Sequence, residues 1–288
     1  MKYKKLGFLL LAAIIIFSGC SLNTEKVSAP EISLKNIPEY SGQPYVVIAS
    51  GEPDFESSLL VAESYEKYSE LDHLNRCGPA IACIGKDIMP NEERGSIGQV
   101  KPSGWVTEKY DFVDGKYLYN RCHLIGFQLT GENANEQNLI TGTRYFNVEG
   151  MLPFENMVAD YIKETGNHVL YRVTPIFEGD NLVASGAVME AKSVEDEGEG
   201  ICFNVYVYNV QPGVEIDYFT GESRAVEQSA EPVETKTGEY ILNTNSKKFH
   251  EETCTQAKDI KENNKKIFTG SREDIISQGY SPCKGCNP

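Results

Sequence analysis

Apolar positions between residues 147 and 164 recur with a helical period. Met151, Phe154, Met157, Val158, Tyr161 and Ile162 fall on one side of a helix, and Gly166 with Asn167 supplies a stop. A helix is therefore predicted over 147–164. The surrounding patterns are those of strands. Residues 45–49 and 80–84 are short unbroken apolar runs, the second ended by Gly85. Residues 116–119 read as a strand that runs into His123. Residues 168–174, 181–191 and 201–210 read as three more, the first two joined through a hairpin-like turn and the last alternating clearly. Residues 50–78 and 130–138 read as loop. Residues 86–105 carry Lys86, Arg94 and Lys101 among glycines and prolines and read as a long basic loop ending at Trp105. Strands around one dominant helix predict an α+β fold with an antiparallel sheet.

The two ends depart from this pattern. Lys2, Lys4 and Lys5 precede an apolar run at 6–17, the layout of a secretory signal. The run is short for a membrane span. It ends in Phe17, Ser18, Gly19 and Cys20, which resembles a bacterial lipobox and implies cleavage before Cys20 and lipidation of its thiol. The expectation is a signal peptide at 1–19, a polar tether at 20–40 and a lipid-anchored protein outside the membrane. Residues 222–238 are rich in Glu, Ser, Thr, Ala and Pro and nearly devoid of large apolar side chains, a linker composition. The chain thus divides into a larger unit at 41–221, a linker at 222–239 and a small unit at 240–288.

Charge narrows the chemistry. The 288 residues carry 27 Lys and Arg against 42 Asp and Glu, a formal net charge of −15. That sign disfavours holding nucleic acid by bulk electrostatics, so any such role needs a local basic patch or metal ions. Residues 119–155 supply candidates for both. Arg121 and His123 are two apart on a strand and point to one face. Asn147 and Glu155 lie eight apart, just over two helical turns. A base, a cation and an oxygen ligand for a hard metal are what phosphodiester hydrolysis needs. Arg94 and Arg144 are further candidates for clamping phosphate.

The run Asn120, Arg121, Cys122, His123, followed by Asn147 and Glu155, resembles the motif of the DNA/RNA non-specific endonucleases with their ββα-metal (His-Me) finger. The resemblance covers roughly residues 41–221 and looks closest to DNA-entry-type secreted or surface nucleases of Gram-positive bacteria. The family motif has Asp where this chain has Asn120 and Gly where it has Cys122. The resemblance implies His123 as general base, Arg121 and Glu155 as further catalytic groups, Asn147 as ligand of Mg²⁺ or Mn²⁺, and DNA, with RNA a further candidate, as substrate. The alternative from another class is a catalytically weak lipoprotein that captures DNA for uptake.

A second constellation stands at the C-terminus. His250 and Cys254 form an H-x3-C pair, Cys283 and Cys286 a C-x2-C pair. Such spacings fit a tetrahedral structural zinc site, and a segment this small needs a metal or a disulfide to be stable. A disulfide between two of these cysteines is the rival. The segment resembles the zinc-binding domain of the DNA-repair methyltransferase Ada, with His250 in the place of its first cysteine. Its Lys247, Lys248, Lys258, Lys261, Lys265, Lys266, Arg272 and Lys284 make it the least acidic part of the chain. Cys77, Cys83, Cys122 and Cys202 have no pairing that spacing can assign.

Overall fold

The computed structural model describes residue 27 and residues 34–226, 238–258, 260–277, 279–283 and 286. The expected signal peptide at 1–19, Cys20, most of the expected tether, residues 227–237 of the expected linker at 222–239 and Lys284 lie outside the described residues, whereas residues 223–225 of that linker form a strand. No described helix is long and apolar enough to cross a membrane. The chain forms two compact units, Met1–Val226 and Glu227–Pro288.

In the first unit the strands are β1 (Tyr45–Val47), β2 (Tyr65–Tyr68), β3 (Ala80–Ile84), β4 (Tyr119–His123), β5 (Leu139–Thr143), β6 (Val169–Ile176), β7 (Gly186–Ser193), β8 (Cys202–Tyr208), β9 (Val214–Ile216) and β10 (Ser223–Ala225). Two α-helices interrupt them, α1 (Phe127–Thr130) and α2 (Leu152–Thr165). Six strands pair in the order β1-β8-β7-β6-β3-β2, every neighbour antiparallel. The apolar runs of β3 and β6 read as continuous because both faces of the sheet are covered. On one face, Ala80, Ala82 and Ile84 join Val169, Tyr171, Met189 and Val205 under Phe154, Val158 and Ile162 of α2. On the other, Val188, Tyr206 and Tyr208 lie beneath Leu34, Ile37 and Tyr40.

A buried ion pair fastens that second face. Arg172 Nε donates to Glu190 Oε2 at 2.8 Å, Asp54 N–H donates to Glu190 Oε1 at 3.0 Å, and Arg172 Nη2 reaches the Asp54 carbonyl. Both charges are fully desolvated, so the pair is sustained by these extra hydrogen bonds and not by Coulomb attraction alone.

The predicted helix begins differently from its pattern. Residues Phe146–Met151 form a widened π-helical turn, and regular α-helix starts at Leu152. Thr143 Oγ1 accepts from Phe146 N–H at 2.9 Å and so caps this turn. Gly150 makes the turn possible: a Cβ there would stand 2.3 Å from a Val207 methyl. Helix α2 ends on Gly166 at φ 76°, as its sequence requires. Two elements lie where loop or nothing was expected. Strand β2 carries Glu66 and Lys67 at its centre and runs along the sheet edge. Strand β5 pairs with β4, placing Arg121 opposite Thr141 and His123 opposite Leu139. The expected strand at 181–191 starts at Gly186, because residues before it complete the turn out of β6.

The second unit is a four-stranded sheet of β11 (Gly238–Asn243), β12 (Lys248–Glu251), β13 (Lys265–Gly270) and β14 (Ser281–Pro282), ordered β13-β11-β12-β14. Helices α3 (Thr255–Lys258) and α4 (Arg272–Ser277) complete it. Its two small cores form around Ile241 with Ala257 and Ile260, and around Leu242 with Phe249 and Ile275.

Candidate active site

The β4–β5 hairpin and the helical segment after it build one side of a cleft of about 720 Å³. Arg94, Arg121, His123, Arg144, Asn147 and Glu155 all line it. The structure thus brings together every larger-unit residue that the sequence singled out. The acidic chain gains a local cluster of cations here, the condition its net charge imposed.

Asparagines hold the hairpin in place. Asn138 is wholly buried; its side chain accepts from Ile125 N–H at 2.8 Å and donates to the Ile125 carbonyl at 3.0 Å, fixing the turn just past His123. Asn209, at the end of β8, accepts from Thr143 N–H at 2.9 Å and donates to the Thr141 and Ala184 carbonyls. Asn209 therefore bolts the hairpin to the main sheet with both side-chain N–H groups and its oxygen in use.

His123 is 6% exposed. Its Nε2 lies 2.7 Å from the Asn133 carbonyl, and its Nδ1 lies 3.3 Å from Arg94 Nη2. A carbonyl only accepts and a guanidinium only donates, so the proton sits on Nε2 and Nδ1 carries the lone pair. Burial pushes the imidazole down to about 4, with Arg94 lowering it further against the Asn133 carbonyl. The ring is neutral at physiological pH, and its basic Nδ1 faces the Arg94 guanidinium.

Glu155 has the opposite shift. Burial pushes its carboxyl up to about 7, opposed by a hydrogen bond from Gln128 and by the Arg94 charge. Gly126 gives it room: a Cβ there would lie 2.5 Å from Glu155 Oε2. Gln128 also donates to Asn156 Oδ1 at 3.0 Å, so it is held from both sides.

The arginines divide. Arg121 Nε donates to the Val100 carbonyl and Nη2 to the Gly98 carbonyl, and its guanidinium stacks 3.9 Å from the Trp105 ring centroid. These contacts tie the basic loop to β4. Arg144 donates to Asp114 Oδ2 from Nε at 3.0 Å and from Nη2 at 2.7 Å. Arg94 faces His123, with no such anchor among the described residues.

One of the two departures from the family motif has a physical account. Cys122 is fully buried, and its Sγ would stand 2.6 Å from a Cβ on Gly142, diagonally across the hairpin. The missing glycine at 122 is thus matched by a glycine on the neighbouring strand. Asn120 lines the cleft. Sequence reading missed Asn133, whose contribution is a backbone carbonyl that no residue type encodes. It also missed Gln128 and Gly126, which carry no motif.

In the second unit, His250 of β12, Cys254 before α3, Cys283 after β14 and Cys286 converge, their ligand atoms all within 4.8 Å of one another. His250 Nδ1 and Cys254 Sγ are 3.5 Å apart. A tetrahedron of Zn–S bonds of ~2.3 Å has edges of roughly 3.7 Å, so the donors fit a zinc ion with little adjustment. His250, Cys254 and Cys283 are buried. The parallel pairing of β12 with β14 brings the two pairs together. Cys77, Cys83, Cys122 and Cys202 are free thiols.

Residues 57–195 match the model of a family described as DNA/RNA non-specific endonuclease. Among solved structures, NucA from Streptococcus agalactiae with a magnesium ion bound is 25% identical, with a TM-score of 0.56 over 62% of this chain and 86% of that one. The same protein with no metal bound gives 0.56 over 67% and 92%. Sda1 nuclease with a bound zinc ion is 26% identical, with a TM-score of 0.53 over 68% of this chain and all of that one.

Proposed function

We propose, on the premise that residues 57–195 belong to the DNA/RNA non-specific endonuclease family and that its members are hydrolases, that the protein is a metal-dependent endonuclease with His123 as its general base. The observation that supports this most directly is the imidazole held neutral by burial, its Nε2–H on the Asn133 carbonyl and its Nδ1 lone pair beside Arg94. In this reading the proton of the attacking water passes to Nδ1 as the water oxygen bonds to phosphorus, the bond from phosphorus to the leaving ester oxygen breaks, and that oxygen takes a proton from solvent. The Asn133 carbonyl then holds the imidazolium. Arg94 and Arg144 bind phosphate oxygens, and Arg121 positions the loop that carries Val100.

The donor set fits a hard divalent cation. Asn147 offers a neutral oxygen, and the buried Glu155 carboxyl is one that a nearby cation would bring back into its ionised form. Mg²⁺ or Mn²⁺ held there supplies charge for the phosphate and leaving oxygens. Glu155 orients water beside it, and Gln128 fixes Glu155.

Substrate is DNA, with RNA as a second target, since contacts to phosphate carry no base information. The reading extends to a signal peptide, a lipid anchor on Cys20 and action outside the membrane. These rest on the sequence pattern alone. The decisive experiment incubates the mature chain with plasmid, single-stranded DNA and RNA, with and without Mg²⁺ or Mn²⁺. Metal-dependent cutting without a consensus at the ends supports the assignment. Binding without cutting would make the protein a DNA-capture lipoprotein instead.

Asn147→Ala is expected to lower activity by about 10–100-fold at limiting Mg²⁺, the usual cost of weakening a metal site. High metal should recover part of the loss. An unchanged metal titration would remove Asn147 from the site.

The small unit is proposed to be a zinc-binding module that helps retain substrate through its lysines. Deleting residues 240–288 should leave kcat within about twofold while raising KM, because a tethered second contact raises effective concentration without touching the chemistry. A truncated chain that has lost turnover would refute the two-module account.

A further inference from the structure

The cleft extends beyond the proposed catalytic groups along the odd-numbered face of β4. His123, Arg121 and Tyr119 alternate along it, Tyr117 precedes the strand by two residues, and all four line the cleft. Tyr119 is buried, with its hydroxyl donating to the Gly221 carbonyl at 3.0 Å. Tyr117, at the far end, is 48% exposed. A large aromatic left half in water at the mouth of a cationic cleft is an invitation to a flat partner.

The residue is held rigidly. Leu118 N–H donates to the Glu108 carbonyl at 3.0 Å and Tyr110 N–H to the Lys116 carbonyl at 2.9 Å. Gly115 and Lys116, at φ 69° and 68°, turn the chain just before Tyr117. The Lys109 ammonium sits 4.4 Å from the Tyr117 ring centroid, and residues 109 and 117 form an antiparallel bridge. The cation occupies one face of the ring. Arg144 is beside this hairpin: its N–H donates to the Leu118 carbonyl, and its guanidinium is held by Asp114. A rigid ring with one face capped by a lysine and an arginine alongside has the parts of a nucleotide subsite. The ring takes the base, and the cations take the flanking phosphates.

We propose that Tyr117, with Lys109 and Arg144, forms a base-stacking subsite for an unpaired nucleobase of the substrate strand. This deepens the nuclease reading and rests on it. Tyr117 stands six positions before His123 on extended chain that leads into β4, so the subsite lies on the order of 20 Å from the base. That is several nucleotides from the phosphate being cut. Its effect is therefore on binding and on the benefit of longer substrates, not on the chemical step. Bases in a duplex are already stacked on their neighbours, so the subsite favours single strands.

The test compares the full chain with Tyr117→Ala and Tyr117→Phe. Steady-state kinetics would use single-stranded oligonucleotides of increasing length and a matched duplex. Anisotropy would measure binding of base-bearing and abasic strands in a His123→Ala background. Tyr117→Ala is expected to raise KM on long single strands on the order of tenfold, the scale of one lost stack, with kcat unchanged. Tyr117→Phe should behave as wild type, because the ring and not the hydroxyl does the stacking. The duplex should change less than about twofold. The preference for base-bearing over abasic strands should vanish in Tyr117→Ala. An unchanged KM, an equal loss on duplex and single strand, or a loss confined to kcat would overturn the proposal. A chain that prefers base-bearing strands through Tyr117 yet cuts nothing would keep the subsite and overturn the nuclease reading.

Discussion

Replacing His123 by alanine is expected to lower kcat by about 10²–10⁴-fold, the range a positioned general base contributes. The fold should persist, since Asn138 and Asn209 hold the hairpin through contacts that bypass the imidazole. The pH dependence follows from two opposed shifts. His123 sits near 4, so its basic form is present from about pH 5 upward. At saturating metal the acid limb of kcat/KM should therefore fall well below the 6.5 of a free imidazole. Glu155 sits near 7 without metal. At limiting metal the limb should climb toward that value, because protons then compete with the cation. Stability carries a matching signature. The folded value of His123 lies below its unfolded value, so between about 6.5 and 4 the unfolded chain binds a proton that the folded chain refuses. That contribution is present above pH 6.5 and lost as pH falls through 4. Thermal melts from pH 7 to 4 should fall less steeply in His123→Ala. Near-normal turnover in the variant would remove His123 from the chemistry.

Removing zinc is expected to unfold the C-terminal unit and leave the nuclease unit intact. Its two cores are built from a few side chains each around Ile241 and Leu242. A structural zinc site contributes on the order of 10–16 kcal/mol of apparent binding energy, which such cores cannot replace. Cys283→Ser, at a buried position of the proposed zinc cluster, should cost most of it. Burial, together with the neighbouring Cys254 and Cys283 thiols, pushes the Cys286 thiol up to about 11. Metal binding must therefore displace its proton, and affinity should weaken as pH falls. Zinc content measured with limited proteolysis of residues 238–286 tests this. A zinc-free protein whose C-terminal unit resists protease would sink the idea and favour a disulfide between two of the cysteines.

How much was legible depended on which level carried the signal. The helix after Asn147 and the strands at 80–84, 169–176 and 202–208 could be read because burial imposes a period on apolar residues. Strand β5 could not: Leu139–Thr143 has only two apolar residues and a glycine at 142, a composition that argues against a strand. It is a strand because β4 pairs with it and because Asn209 supplies its edge with partners. Strand β2 was hidden by its charged centre, which suits an edge.

The site divides in the same way. The sequence alone singled out His123, Asn147, Glu155, the arginines and the two Cys/His pairs, because their chemistry belongs to residue type and spacing, and the fold gathers them along one cleft and in one cluster. It also determined that an acidic chain would need local cations. Only the tertiary structure decided what each group is free to do. Arg121 spends donors on the Val100 and Gly98 carbonyls, while Arg94, from a loop with no regular structure, faces the histidine. Asn133 fixes the tautomer through its backbone oxygen. The physical reason is common to these cases. Side-chain identity is local and written in the chain, whereas a hydrogen bond between backbone and a distant side chain exists only once folding has set both ends within about 3 Å of each other.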